Sequence, residues 1–260
     1  MADVLVEFND DELPPEMTNA IAGGITIEGA AMSTHWQRQS KKFQESFMDQ
    51  IRVSLENGES TQQAVTRIVG GTVDGIPVTG IISMARNRAE AIVRTAINEI
   101  VNQVRINTFQ DMGDVVKAVQ QISTLDSRTS NICIAYSGLV WDIVDFSPIG
   151  HNLPFNGGPP RHFNCRSSLV PVLRSFEELG IDANEVPLET RASMDGEVPG
   201  DITFDEWLRS KPKSFQNEVL GPTRARLWRN GDITLTQLVD MRGRAMTLDQ
   251  LEEVVGQPLN

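Results

Sequence analysis

Between residues 79 and 112 the chain carries one apolar stripe at helical spacing, and that stripe limits the available folds more than any other feature. Ala85, Ala89, Ile92, Ala96, Ile100 and Val104 recur every three or four positions, and Val93 beside Ile92 widens the face. Small alanines on the stripe let a neighbouring helix approach closely. Arg86, Arg94 and Arg105 belong to the same long helix. Upstream, Trp36, Phe43, Phe47 and Ile51 follow one another at spacings of seven, four and four, predicting a helix over 33–55 that Asn57-Gly58 ends. Ser60 and Gln63 form a capping box for a second helix, "STQQAVTRIV", which stops at Gly70-Gly71. "TVDGIPV" then reads as a turn in which Pro77 sets an extended approach. These elements predict a helical bundle over 33–122.

After Ser123 the pattern changes. Turn residues interrupt the chain every few positions, and the apolar stretches "NICIAY" and "GLVWDIV" have the length of strands. A compact, loop-rich α+β module is expected over 123–175. Residues 175–206 hold ten carboxylates against Arg191 alone, so 176–204 reads as an acidic connector. A small helical region follows over 205–260. It comprises a helix around Trp207, another at "PTRARLW", and a last one at "TLDQLEEVV" with Thr247 as N-cap and Gln250 completing the box. Trp207 and Trp228 are its expected core anchors. At the other end, residues 1–30 contain seven carboxylates and no Lys or Arg, so 1–32 reads as an acidic arm. The expected fold class is α+β: an N-terminal helical bundle, a compact module and a small helical C-terminal region.

With 260 residues, 40% of them hydrophobic, the chain can bury a sizeable core. No apolar run approaches the roughly 20 residues that span a bilayer, and the N-terminus lacks the basic start and apolar centre of a signal peptide. The expectation is a soluble, unexported protein without a membrane anchor. A net charge of -12 argues against a protein that coats nucleic acid, because such binding needs Lys and Arg to neutralise phosphates. The charge is uneven, however. Arg209, Lys211, Lys213, Arg224, Arg226 and Arg229 face only Glu218 between 207 and 229, and Arg161, Arg166 and Arg174 meet no carboxylate between 161 and 174. Arg161, Arg174 and those six are the candidates for weak contact with double-stranded DNA; the alternative is a solvated face.

Site chemistry concentrates in the module. Two cysteines are too few for a disulfide scaffold. His162 and Cys165 are separated by two residues on a proline-preceded loop, a spacing that lets both converge on one ion, and Cys133 would add a third ligand. Thiolate and imidazole suit zinc, with His151, Asp126 or water as the fourth ligand. The competing reading makes the cysteines small buried apolar residues and His162 a turn residue. Asp126, Arg128 and Thr129 in "LDSRT" would cap a helical turn and pair across the module. Alternatively, with His162 and Arg166, they would bind a phosphate as part of an enzymatic site.

The order Asp126-x-Arg128-Thr129, then Cys133, then Gly138, then Pro159-Pro160-x-His162-x-x-Cys165-Arg166 resembles the signature of the phage Mu F-like family, the head-morphogenesis or minor head proteins of tailed double-stranded DNA phages. The resemblance is strongest over about 120–174 and extends more weakly into "RAEAIVRTAINEI" and the later "FDEWLRSKPKSFQNEVLGPTRARLWRNGDITLTQLVD". It implies a virion component in the head interior, present in the host cytoplasm during assembly. Its implied partners are the portal protein and a major capsid or scaffolding protein, and its implied role is to assist DNA packaging or delivery. Many members carry a second cysteine after the motif arginine, whereas Ser167 stands there in this chain, which removes a possible fourth metal ligand. The stretch is accordingly expected to be a structural clip that locks the last strand of the module. The alternative class is an ejected effector or metal-dependent enzyme in which Asp126, Arg128, His162 and Cys165 act on a phosphodiester or nucleotide.

Overall fold

The computed structural model describes residues 26–27, 30–31, 41–81, 86–183 and 190–256. The fold is α+β, in two compact units: Met1–Asn107 with His162–Cys165, and Thr108–Arg161 with Arg166–Asn260. Trp36, Ala85 and the part of the acidic arm before residue 26 lie outside the described residues.

The first unit begins with the antiparallel pair β1 (Thr26–Ile27) and β2 (Ala30–Ala31). Its body is built from α1 (Lys41–Glu56), α2 (Thr61–Val69) and most of α3 (Arg86–Asp111). The core joins Phe47 and Ile51 of α1, Ala64, Val65 and Ile68 of α2, and Ala89, Val93, Ala96 and Ile100 of α3. On α3 the buried positions are therefore spaced four, three and four; Val93 takes the centre of the stripe, while Ile92 and Val104 are half-buried. The capping box at Ser60 and Gln63 starts α2, and Glu59 pairs with Arg67 across its first two turns. "TVDGIPV" is more than a turn: it forms the hairpin β3 (Gly71–Val73) and β4 (Ile76–Val78), with Asp74 and Gly75 both at positive φ. The hairpin returns the chain so closely to the end of α2 that a Cβ on Gly80 would lie 2.3 Å from the Val69 carbonyl carbon.

The second unit centres on a four-stranded antiparallel sheet ordered β7 (Pro148–Ile149), β6 (Val140–Asp142), β5 (Val116–Ile122), β8 (Ser168–Leu173). Residues 116–122, expected within the helical bundle, are thus the central strand. Val116, Ala118 and Val119 are buried there, and pairing on both edges favours the extended form of this short β-branched run. Gln121 directs its N–H and C=O to Leu139 and Gly138, so Gln120 and Ile122 face β8. Pro171, paired with Val119, then has its missing N–H on the outer edge of β8, where no ladder bond is lost.

"NICIAY" is a helix, α4 (Asn131–Tyr136), and not the expected strand. Ser130 Oγ accepts from Cys133 N and caps it, and Cys133, Ile134, Ala135 and Tyr136 are all buried. Burial of four consecutive residues removes the alternation that would have shown helical periodicity. The expected acidic connector contains the hairpin β9 (Thr190–Ser193) and β10 (Gly196–Pro199). Arg191 and Met194 N tie it to the carbonyls of Ser123 and Leu125.

The helical region consists of α5 (Phe204–Arg209), α6 (Lys213–Leu220), α7 (Pro222–Asn230), a 3-10 turn (Leu235–Leu238) and α8 (Leu248–Val255). Trp207 and Trp228 are fully buried, and Thr247 and Gln250 form the capping box of α8. This region packs within the second unit: Asn156 Nδ2 donates to the Arg242 carbonyl, and a Cβ on Gly243 would lie 2.2 Å from the Tyr136 hydroxyl.

Ile100 is fully buried in the three-helix core. Ile100→Ala is expected to cost about 2–5 kcal/mol, seen as a lower urea midpoint at an unchanged slope.

Candidate functional site

The motif closes on one ion pair. Arg166 Nη1 donates to Asp126 Oδ2 at 2.5 Å and Nη2 to Oδ1 at 2.8 Å, a bidentate pair joining positions 40 residues apart. Asp126 Oδ1 also accepts from Arg128 N at 3.0 Å and, as the longer arm of a bond shared with the Thr124 carbonyl, from the Thr129 hydroxyl at 3.1 Å. The Arg166 guanidinium, against the opposing cost of burial, holds the Asp126 carboxyl down from its ordinary 3.8 to about 2, with help from Thr129 and Arg128. Arg128 contributes its backbone to this clasp; its side chain is 81% exposed, with Nε 3.7 Å from Asp126. Asp126 is therefore not the cap of α4, and its carboxylate is not available as a metal ligand.

Beside the clasp, Ser123 Oγ donates to the Cys133 carbonyl at 2.8 Å and so accepts from Ser167 Oγ at 2.9 Å. The serine that replaces the expected cysteine thus ties α4 to β8. Gly138, at φ +87°, donates its N–H to the Gln121 carbonyl at 2.7 Å and turns the chain from α4 into β6.

Arg161 corrects the expectation of a DNA contact. Only 6% exposed, it donates from Nε to Gln121 Oε1 at 3.0 Å and from Nη1 to the Phe155 carbonyl at 2.7 Å. Its guanidinium carbon lies 3.8 Å from the Tyr136 ring centroid. Pro159 and Pro160 beside it are buried. Arg161 is an internal brace that no phosphate reaches.

The turn His162–Cys165 follows at once. Cys165 N donates to the His162 carbonyl at 3.1 Å, and Asn164 takes φ +59°, a conformation asparagine tolerates. Two α3 side chains grip this turn. Thr95 Oγ1 accepts from Asn164 N at 3.0 Å while donating to the Ala91 carbonyl at 2.7 Å. Asn98 Nδ2 donates to the Cys165 carbonyl at 2.9 Å, and Asn102 Nδ2 donates to Asn98 Oδ1 at 2.7 Å, which fixes the Asn98 amide. Sequence reasoning missed these residues. Their signal was a polar row at 95, 98 and 102, spacings of three and four that follow a helix face.

Of the three candidate ligands, His162 and Cys165 share one turn in the first unit, and Cys133 lies on α4 of the second. His162 Nδ1 lies 2.7 Å from the Phe163 carbonyl; donating there, it leaves the lone pair on Nε2, the tautomer a metal needs. Two buried thiols and an imidazole suit zinc in donor type, with two thiolates balancing its charge. The proposed fourth protein ligands do not serve. His151 Nε2 donates to the Val140 carbonyl at 2.8 Å and Nδ1 accepts from Leu153 N at 3.2 Å, while Asp126 is held by Arg166.

The other cations named as DNA contacts are mostly engaged within the fold. Arg174 Nη2 reaches the Gly113 carbonyl at 3.4 Å. Arg209 pairs with Asp205 and lies over Trp228, and Lys211 pairs with Asp195. Arg224 donates to the Met246 carbonyl, and Arg229 to Gln216 and Asn217. Lys213 and Arg226 are exposed.

Because the folded pKa of Asp126 is depressed, the clasp contributes fully above the ordinary carboxylate value and loses its contribution as pH falls toward about 2. Arg166 is one-third exposed, which discounts the effect to about 1–2 kcal/mol. Urea unfolding between pH 5 and pH 2 should show this acid loss in the natural chain, and Asp126→Asn should lack that share of it.

Residues 12–170 match the model of the family described as Phage Mu protein F like protein. No curated protein and no solved structure matches the chain. The matched span holds α1, α2, α3, the Asp126–Arg166 clasp and the start of β8. Covering more than half of the sequence, it establishes that the chain belongs to the Phage Mu protein F like protein family.

Proposed function

We propose that this protein is a minor head protein of a tailed double-stranded DNA phage, built into the head with the portal, resident in the head interior and assisting assembly and DNA packaging or delivery. The observation that carries the reading is the family match, which runs unbroken from the helical segment through the Cys/His turn. The family is one of phage head morphogenesis. The partners on this reading are the portal protein and the major capsid or scaffolding protein, met in the host cytoplasm during assembly. Among the described residues no helix is long and apolar enough to cross a membrane.

The role is structural and not enzymatic on this reading. Its support is the state of Asp126, whose two oxygens both accept from Arg166 and whose carboxyl stays ionised far below neutral pH. A carboxylate so engaged is a poor general base or metal ligand. The turn His162–Cys165 is the clip that leads into β8. Zinc held by Cys133, His162 and Cys165, with water in the fourth place, would tighten the clip without changing that role.

The experiment is assembly of heads with altered chains. Deletion of residues 1–110 should abolish incorporation, whereas His162→Ala and Cys165→Ser should be incorporated yet impair DNA delivery. Incorporation of a 120–260 fragment at the level of the full chain would overturn the assignment of docking to the helical segment. Zinc analysis of the purified chain should give about one ion per chain, lost in Cys165→Ser, if metal completes the clip. DNA binding should be weak, fall steeply with salt, and fall further when Lys213 and Arg226 are neutralised.

A further inference from the structure

We propose that Thr95 and Asn98 are positioning residues for the His162–Cys165 turn, so that the thiol of Cys165 keeps its protected place only while this stretch of α3 grips the turn backbone. The inference stands apart from the head-protein reading, and it holds with or without a metal.

Within the turn, Cys165 N donates to the His162 carbonyl and His162 Nδ1 to the Phe163 carbonyl, and Asn164 must remain at φ +59°. Phe163 and Asn164 are exposed, so side-chain burial does not fix the middle of the turn. Two bonds from α3 go to its backbone: Thr95 Oγ1 accepts from Asn164 N, and Asn98 Nδ2 donates to the Cys165 carbonyl. Neither α3 side chain is free to choose another partner. The Thr95 hydroxyl proton is committed to the Ala91 carbonyl, which turns a lone pair to Asn164 N. Asn98 Oδ1 accepts from Asn102 Nδ2, which sets its amide with Nδ2 toward Cys165. Thr95 is fully buried, and Asn102 is 1% exposed. Both bonds are part-buried, so their loss is felt more than that of a solvent-exposed pair. Cys165 itself is 4% exposed, one position from the gripped Asn164 N–H.

The arrangement explains a polar row on a helix that otherwise buries alanine, valine and isoleucine. Hydroxyl and amide at these positions would be costly in a purely apolar interface. Here Thr95 and Asn98 each match a backbone group of the turn, and Asn102 orients Asn98.

The test is alkylation of the full-length chain by N-ethylmaleimide after treatment with a chelator, with the two cysteines read separately by peptide mass spectrometry. Thr95→Val and Asn98→Ala should each raise the rate at Cys165 about tenfold, the scale set by one lost buried hydrogen bond, and leave the rate at Cys133 unchanged. Thr95→Ser, which retains the hydroxyl, should react at the natural rate. Equal acceleration at both cysteines would mean general loosening of the fold and would overturn the proposal. So would an unchanged rate at Cys165, or a Thr95→Ser chain that reacts as fast as Thr95→Val.

Discussion

The second unit depends on the ion pair between Asp126 and Arg166. It closes a loop of 40 residues, a chain length whose ends carry a substantial entropic cost of meeting. Two charge-assisted bonds meet that cost at a carboxylate whose side chain is 10% exposed, and Thr129 and the Arg128 backbone take up lone pairs that burial would otherwise leave unsatisfied. Everything between the two residues is arranged inside the closed loop: α4, the β6–β7 hairpin, the buried prolines and Arg161 braced between Gln121 and Phe155. The bridge from Ser123 to both Cys133 and Ser167 fastens the same loop at a second point. Thus Arg166 has its function inside the fold, and a reading that sends it outward to a phosphate must first break the clasp.

Legibility in the sequence followed the local character of each signal. Capping boxes at Ser60, Thr203 and Thr247 are complete within four residues; those at Ser60 and Thr247 are plain in the sequence, and the helix that Thr203 starts is marked by Trp207. The α3 stripe was legible because one side of that helix alternates with charge, although its centre lies at Val93 and not Ile92. The helix "NICIAY" was not legible, since four consecutive buried residues in so short a run leave no period to read. Nor was the central strand at 116–122, whose extended form depends on partners 20 and 50 residues later. Such pairing is a tertiary decision that overrides local propensity. At the site, the sharing of one turn by His162 and Cys165 was readable from their spacing, whereas the α3 residues that grip the turn lie some 70 positions away in the chain.

Charge was the most misleading signal, for a physical reason. A sequence counts every arginine as surface charge, but guanidinium is weakly hydrated and offers five N–H donors, so it serves well as an internal brace against carbonyls. Arg161 is used in this way, and so is Arg191, whose Nη2 donates to the Ser123 carbonyl at 2.7 Å and whose pKa burial lowers. In the basic stretch 207–229, Arg209 and Lys211 are paired with carboxylates of their own unit, and Arg229 with two side-chain amides. A cation already paired in the fold releases fewer counterions when it meets a phosphate, so the stretch is a weaker magnet for DNA than its composition suggests. With a net charge of -12 the chain as a whole also repels a polyanion such as DNA at long range, so the basic stretch works against the field of the protein that carries it.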